Sequence, residues 1–227
     1  MKLPLSNRLQ KCCQFVHPGD RVADIGCDHG YLGIYLLENG IASSVIASDV
    51  NESPLHSAVI NAHKFGVQDQ ISFHLSDGLR NVPRDFDCLV CAGMGADTMI
   101  SILEAAPWIR NPKYRLVLQC QSKRPELRKY LSAAGFSISR ETLAKDGKFI
   151  YPVMEVSYAP GGTLAPWEYY ITPQLLEDNS PLLPEFLARV IRGLEESAMG
   201  LSREGGEKYE AMSEILRHLQ TLKGANP

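Results

Sequence analysis

Short apolar runs alternate with amphipathic segments through the first 160 residues of the chain. The apolar runs end in turn residues such as Gly, Asp, Asn or Ser, whereas the amphipathic segments repeat apolar side chains at helical spacing. The apolar runs predict five strands, over residues 21–25, 44–48, 71–75, 86–92 and 115–120. Because strands that alternate with helices form parallel sheets, we expect an α/β fold with helices on both faces of the sheet.

Two more strands are predicted where this alternation ends. Residues 136–143 and 149–158 are separated by Lys145-Asp146-Gly147-Lys148, and Asp-Gly between two apolar runs is a hairpin signal. A hairpin reverses the direction of the chain, so the last strand should be antiparallel to its neighbours. The sequence therefore predicts an open, Rossmann-like sheet of seven strands that is mostly parallel, with the last strand antiparallel.

Beyond residue 160, apolar side chains repeat only at helical spacing. One stripe runs from Leu183 to Leu194 and another from Tyr209 to Leu222, with glycines between them. Two such stripes predict an antiparallel helical hairpin at the C-terminus. We therefore expect two domains, a ligand-binding domain over residues 1–160 and a coiled-coil-like hairpin over residues 161–227.

The composition favours a globular protein without a membrane segment. Hydrophobic residues make up 44% of the 227 residues, and no apolar run approaches the ~18–20 residues that span a bilayer. The N-terminus also lacks an apolar signal stretch. We expect a cytoplasmic protein with no membrane partner, and a monomer is favoured.

The 6 cysteines fit neither a disulfide framework nor a metal site. Cys88 and Cys91 form a C-x-x-C pair, but they fall along one predicted strand, and the sequence has no second pair. We therefore expect free thiols and no bound metal.

The net charge is −3, but the charge is unevenly distributed. Residues 110–148 contain 10 Lys or Arg against 3 Asp or Glu, whereas the segments before and after them each carry a balance of −5. A basic segment in an acidic chain favours a local anion-binding face. In the alternative, the basic side chains of one predicted helix are only solvated; these are Lys123, Arg124, Arg128 and Lys129.

The stretch from Asp20 to Leu32 predicts a ligand site. A buried strand is followed by a tight turn over Gly26 to Gly30 and by a helix that starts at Tyr31. Glycines let the backbone approach a ligand, and the turn directs free N–H groups toward it. The spacing differs from the dinucleotide fingerprint, and Asp24 before the first glycine favours a positively charged ligand such as S-adenosylmethionine. The alternative is an ordinary turn between a strand and a helix.

Polar groups also follow the next three predicted strands. Asp49 ends the second strand about 20 residues beyond the glycine turn, where an acidic residue can hold ribose hydroxyls. Asp77 follows the third strand and could accept a hydrogen bond from an adenine amino group, and Ala92 to Gly95 end the fourth. Each position alone also fits a turn or a helix cap, but their coincidence favours an adenosine-type cofactor.

Several motifs together resemble those of one enzyme family. They are Leu5-Ser6-x-Arg8-Leu9, Ala23-Asp24-Ile25-Gly26-x-Asp28-His29-x-Tyr31-Leu32, Asp77-Gly78-Leu79, Ala92-Gly93-Met94-Gly95, Leu118-Gln119 and Asp146-Gly147-Lys148. With the sheet and the helical hairpin, they resemble the bacterial tRNA adenine-N1 methyltransferases that modify adenosine 22, which have the class I methyltransferase fold. The chain departs from the family pattern at Ala96, where glycine is common, and at Cys120-Gln121, where Pro-Asn is common.

The resemblance implies S-adenosylmethionine as cofactor and tRNA as the methyl acceptor. The predicted cofactor contacts are Asp24, Gly26, Cys27, Asp28, Gly30, Tyr31, Asp49, Val50, Asp77, Gly78, Ala92 and Gly93. The predicted catalytic residues are Asp28, His29 and Met94. The predicted RNA contacts are Arg8, Lys123, Arg124, Arg128 and Lys129.

The chemistry of adenine N1 sets what such an enzyme must do. N1 carries a lone pair and needs no prior deprotonation, so the enzyme mainly aligns N1, the methyl carbon and the sulfur. Asp28 is predicted to stabilise charge that moves onto the adenine, and His29 to orient the base. In the alternatives, Asp28 only holds the cofactor and His29 only caps the helix. Since N1 is engaged in base pairs within a duplex, the target base must be extruded or unpaired.

Two other functions stay open at this point. One is a methyltransferase that acts on another RNA, a protein or a small molecule, and the other is a non-catalytic module that binds S-adenosylmethionine and tRNA. The basic middle segment favours RNA over a small molecule. The sequence does not separate an enzyme from an inactive module.

Overall fold

The computed structural model describes residues 3–201 and 206–225. One sheet contains the strands β1 (Asp20–Ile25), β2 (Ala42–Asp49), β3 (Ile71–Leu75), β4 (Cys88–Met94), β5 (Arg115–Cys120), β6 (Phe136–Asp146) and β7 (Phe149–Tyr158). The strand order is β3-β2-β1-β4-β5-β7-β6. Strands β1 to β5 pair in parallel, whereas β7 is antiparallel to both β5 and β6. The predicted fold class is confirmed.

Both faces of this sheet are covered by helices. The helices are α1 (Asn7–Cys13), α2 (Tyr31–Glu38), α3 (Glu52–Phe65), α4 (Ala96–Glu104), α5 (Arg124–Ala133), α6 (Pro173–Glu177), α7 (Leu183–Leu201) and α8 (Glu207–Ala225). Buried side chains of α1, α2 and α3 share one apolar core with the sheet, and those of α4 and α5 share another. Within residues 3–201 and 206–225, no helix is both long and apolar enough to cross a membrane.

The central strands are apolar runs because both of their faces are buried. In β4, Cys88 and Val90 belong to the core under α1 to α3, whereas Leu89 and Cys91 belong to the core under α4 and α5. Alternate side chains of a strand point to opposite faces, so a strand that is covered on both sides has no polar alternation.

The first strand of the β-hairpin is longer than the sequence predicts, whereas the second, β7, has the predicted bounds. β6 continues to Asp146, which pairs with Phe149, so that residues 147–148 form the turn. The longer hairpin also contacts the C-terminal helices: Leu143 and Ile150 share an apolar cluster with buried residues of α7 and with Leu219 of α8. The predicted helical hairpin is present, while its division from the sheet as a separate domain at residue 160 stays a prediction.

A cluster of buried polar side chains connects the sheet to the chain segment just before α6. Glu141 of β6 accepts hydrogen bonds from Arg128 of α5 and from the Thr172 hydroxyl, and all three side chains are buried. Arg128 also donates to the Tyr169 carbonyl at 2.9 Å. Buried charges are stable only when paired and hydrogen-bonded, so this group fixes how α5, β6 and the segment before α6 fit together.

Candidate functional site

A cavity of about 790 Å³ opens at the carboxyl ends of the strands, where the strand order changes direction. β1 and β4 are neighbours there, but the chain continues from β1 to β2 on one side and from β4 to β5 on the other. Such a switch point is where open α/β sheets bind ligands, and the volume is that of a small-molecule site. The lining includes Arg8, Asp24, Gly26, Asp28, His29, Asp49, Val50, Ser76, Asp77, Gly93, Met94 and Asp97.

The turn after β1 requires glycine at two positions. Gly26 has φ +73° and Gly30 has φ +72°, in the left-handed region that other residues rarely adopt. A Cβ on Gly26 would lie 2.2 Å from the terminal carbon of Met94, and one on Gly30 would lie 2.9 Å from Ala58 Cβ. Gly30 therefore lets α3 pack more closely on the turn than a side chain would allow, and the flexible end of Met94 packs in the space beside Gly26.

Asp49 holds this turn against the end of β2. Its Oδ2 accepts a hydrogen bond from the Asp28 amide at 3.2 Å, and its Oδ1 accepts one from the Asn51 amide at 2.9 Å. Asp28 has φ +52°, so its amide turns inward while its own carboxylate stays 72% exposed. A carboxylate has about four acceptor positions, so Asp49 retains capacity for two ligand hydroxyls.

Asp24 is a buried carboxylate with an unused acceptor. The residue is 4% exposed, and its Oδ2 has no hydrogen-bond partner among the described residues. Burial raises the pKa of Asp24 to about 7, and the charge of nearby Asp49 adds to the rise. A buried acceptor that lines a cavity and lacks a partner suits a ligand with a cationic donor, which would favour the ionised form.

His29 stands beside Asp28 at the mouth of the cavity. Its Nε2 lies 3.7 Å from Asp28 Oδ1, and its ring centroid lies 5.7 Å from that of Tyr31. The N-cap of α2 is Gly30, without a side-chain cap hydrogen bond. His29 therefore does not cap the helix, which removes one alternative interpretation of this residue.

The end of β4 is shaped by Gln119, which sequence reasoning missed as a site residue. Gln119 Oε1 accepts hydrogen bonds at 3.0 Å from both the Gly93 amide and Arg8 Nη1. Gln119 is fully buried, and Arg8 also pairs with Asp146 at 3.5 Å. A polar residue inside the apolar run of β5 was the sequence signal for it, since burial of a polar group is costly without hydrogen bonds. Oε1 has two partners, whereas Nε2 has none among the described residues.

Most of the predicted cofactor residues lie together. All of them except Gly30 line the cavity, as do the predicted catalytic residues and Arg8. The prediction did not include the other lining residues, namely Leu9, Ile25, Leu32, Asn51, Pro54, Ser76, Asp97, Thr98, Ser101 and Ile102. Apart from Ile25 and Leu32, which flank the glycine turn, these come from loops and from α1, α3 and α4, and they reach the site only through the packing of those elements.

The basic residues of the middle segment do not form one surface. Arg128 as an RNA contact is wrong, because its guanidinium is 1% exposed and paired with Glu141 inside the protein. Arg124 is half-buried, with its guanidinium 5.3 Å from the Phe186 ring. Lys123 is exposed and pairs with Asp97 at 2.6 Å, and Lys129 is exposed. RNA contact by Lys123, Arg124 and Lys129 stays a prediction.

Known proteins are similar to this chain in both sequence and fold. It is 35% identical over 149 residues to the tRNA (adenine(22)-N(1))-methyltransferase of Bacillus subtilis, a match that spans 65% of this chain and 63% of that protein. The chain therefore aligns with less than two thirds of that relative's length. The resemblance predicted from the motifs is confirmed.

Solved structures match over nearly the whole chain. A Rossmann-superfamily protein from Streptococcus agalactiae has a TM-score of 0.87 and 28% identity, and the match covers 98% of this chain and 99% of that one. A Streptococcus pneumoniae protein in complex with S-adenosyl-L-methionine has a TM-score of 0.80 and 27% identity, with 96% and 99% covered. The methyltransferase domain family matches residues 5–154, which contain the first six strands, part of β7, the glycine turn and the cavity. The chain thus belongs to the methyltransferase domain family.

Proposed function

We propose that this chain is an S-adenosylmethionine-dependent methyltransferase that modifies N1 of an adenosine in tRNA, at position 22. The observation that carries the proposal is the cavity at the switch point, where a glycine turn meets the buried carboxylates Asp24 and Asp49. Similarity to the B. subtilis tRNA methyltransferase supports the acceptor, and similarity to the S. pneumoniae complex supports the cofactor.

The residues of the cavity fit this cofactor. Asp49 retains acceptor positions for the ribose hydroxyls, and the unpartnered Oδ2 of Asp24 suits the ammonium group. Gly26 lines the cavity without a side chain of its own, and its left-handed φ of +73° brings the backbone of the turn to the cavity wall. When bound, the cofactor supplies a methyl group on a sulfonium sulfur, from which the methyl carbon moves to adenine N1 and leaves S-adenosylhomocysteine.

Asp28 is the residue that we propose acts on the acceptor base. Its carboxylate lines the cavity and is 72% exposed, so it is free to accept a hydrogen bond from the adenine 6-amino group. Methylation at N1 makes the ring cationic and the amino group more acidic. The hydrogen bond therefore strengthens as the transition state forms, which lowers the barrier.

Two further residues complete the proposed catalytic set. His29, beside Asp28, orients the extruded base, and Met94 provides the apolar surface next to Gly26 on which the reacting groups align. Because N1 attacks with its own lone pair, none of these residues has to remove a proton before methyl transfer.

The proposal is tested by methyl transfer from radiolabelled cofactor to two tRNA transcripts that differ only at nucleotide 22. We expect label in the transcript with adenosine and not in the one with guanosine, and nuclease digestion should yield N1-methyladenosine. Equal labelling of both transcripts would contradict the position. Absence of label in both would contradict tRNA as the acceptor.

A further inference from the structure

A second cavity, of about 520 Å³, adjoins the first. Met94 lines the first cavity, and the next residue, Gly95, lines the second. The Gln121 amide donates to the Met94 carbonyl at 2.8 Å, and the Ala96 amide donates to the Ser122 carbonyl at 3.2 Å. The second cavity therefore begins at the same strand ends, on the side of the β6–β7 hairpin.

One wall of the second cavity is aromatic and open to solvent. Phe149 is 51% exposed, and its ring centroid lies 6.0 Å from that of Tyr151. The ammonium group of Lys148 lies 5.3 Å from the Phe149 ring. An exposed ring beside a cation is a surface on which nucleobases stack, because every base presents an apolar π-face.

Two arginines make the lining of this cavity cationic. Arg124 and Arg189 both line the cavity, and the described lining residues include no Asp or Glu. Arg189 of α7 donates hydrogen bonds to the Lys148 carbonyl at 2.7 Å and to Glu185 at 2.6 Å. Its guanidinium is therefore fixed between α7 and the β6–β7 hairpin. Glu185 also accepts a hydrogen bond from Lys145 at 2.9 Å. One carboxylate thus faces two cationic side chains, so the net charge beside the cavity is positive. Such a lining favours an anionic ligand.

We propose that the second cavity binds an unpaired nucleotide next to the target adenosine, with its base stacked on Phe149 and its phosphate held by Arg189 and Arg124. This inference rests on the proposed function, because extrusion of the target base leaves a neighbouring nucleotide unstacked and in need of a surface. Aromatic stacking combined with arginine is how proteins bind single-stranded RNA. In this proposal, residues of α7 and of the β6–β7 hairpin contact the acceptor RNA.

Binding of tRNA without cofactor tests the proposal directly. Phe149→Ala should raise the tRNA dissociation constant about 10-fold, the effect of losing one stacked base, and Phe149→Tyr should restore it. Arg189→Ala should weaken binding and flatten its dependence on salt. The matched controls are Ile60→Ala, which removes a side chain that is 54% exposed, and Arg192→Ala on the same helix as Arg189. Neither control residue lines the two cavities.

The thermal midpoint of each variant and its affinity for S-adenosylmethionine should equal those of the wild type. An unchanged tRNA dissociation constant in Phe149→Ala, with a wild type that methylates tRNA, would overturn the inference and leave the proposed function standing. A wild type that binds tRNA through Phe149 but transfers no methyl group would overturn the proposed function, and with it the target adenosine, while the second cavity would stand as a nucleotide-binding surface.

Discussion

The terminal carbon of Met94 occupies the space in which a side chain on Gly26 would begin, with only 2.2 Å between that carbon and a Cβ placed on Gly26. Gly26 also has φ +73°. The left-handed backbone therefore requires glycine here, and an added Cβ would also displace the flexible end of the Met94 side chain. Gly26 and Met94 both line the cavity at the switch point.

Gly26→Ala should weaken S-adenosylmethionine binding about 10-fold or more and should cost about 1–2 kcal/mol of stability, the range for a left-handed non-glycine residue. Gly40→Ala is the matched control, because Gly40 has φ +62° and no atom within 4 Å of an added Cβ. It should lose similar stability but keep cofactor affinity. Calorimetry that finds equal affinity in both variants would show that the packing of Met94 on Gly26 does not shape the site.

Cofactor affinity should depend on pH through Asp24. Burial raises the pKa of this carboxyl to about 7, so it is largely protonated in the free protein at pH 6. A cationic ligand favours the ionised form, so binding at pH 6 should release up to about one proton, and affinity should rise until pH passes about 7. Asp24→Asn should abolish the proton release, which calorimetry in buffers of different ionisation enthalpy measures.

The same carboxyl should make the ligand-free protein less stable at high pH. Its folded pKa lies above the unfolded value, so the stability that it contributes is present below pH 4 and is lost as pH rises through about 7. Asp24→Asn should therefore gain about 1 kcal/mol or more relative to wild type at pH 8, and no such gain at pH 4. Urea unfolding at both pH values measures the difference, and an equal effect at both would contradict the assignment.

Arg128 and Lys129 are neighbours in sequence but should differ sharply when replaced by alanine. Arg128→Ala leaves Glu141 charged and buried without its partner, which should cost about 3–5 kcal/mol of stability. Lys129→Ala removes an exposed side chain and should change stability by no more than about 0.5 kcal/mol. Urea unfolding of the two variants tests this, and a small effect of Arg128→Ala would mean that Glu141 finds another partner.

This pair also marks the limit of what the sequence could predict. The sheet was predictable because strands that are buried on both faces are apolar runs, and the Asp146-Gly147 turn identified the hairpin. The glycine turn and Asp49 were predictable because their chemistry is local to one strand end. The burial of Arg128 was not predictable, because in the sequence Arg128 and Lys129 are two adjacent basic residues of one helix. Only the packing of α5 on β6 buries one of them.

Residues that act across long sequence separations were missed for the same reason. Gln119 joins Arg8 to the Gly93 amide across 111 and 26 residues of sequence, and no local pattern links these positions. The second cavity likewise depends on α7 reaching the β6–β7 hairpin, an arrangement that helical spacing alone does not indicate. Which face of a helix meets which strand is decided by the packed core, not by the period of the helix.

The exposed lysines of α5 and its N-cap should contribute to RNA affinity without touching the cofactor. Charge reversal by Lys123→Glu and Lys129→Glu should weaken tRNA binding and reduce the slope of log affinity against log salt by about 1 for each phosphate that is no longer neutralised. Lys64→Glu is the control, because Lys64 is exposed but lies outside the basic segment. Equal salt slopes in all three variants would make the two lysines a solvated surface only.

The final prediction concerns turnover at Asp28. Its positive φ, and the hydrogen bond that its backbone amide donates to Asp49, hold the carboxylate at the mouth of the cavity. There, Asp28 Oδ1 lies 3.7 Å from His29 Nε2. Asp28→Asn keeps the size and one acceptor oxygen but removes the charge, so turnover should fall about 10²-fold, the effect of losing one preorganised electrostatic interaction. Asp49→Ala, which removes the proposed ribose ligand, should instead weaken S-adenosylmethionine binding by about 1–3 kcal/mol.

The two variants separate catalysis from cofactor binding when turnover and cofactor affinity are measured side by side. In Asp28→Asn, affinity for S-adenosylmethionine should change much less than turnover, because the backbone amide that bonds to Asp49 is retained. In Asp49→Ala, excess cofactor should recover much of the lost rate, since the defect is in ground-state binding. If excess cofactor restores the rate of Asp28→Asn as well, then Asp28 is a cofactor ligand and does not act on the base.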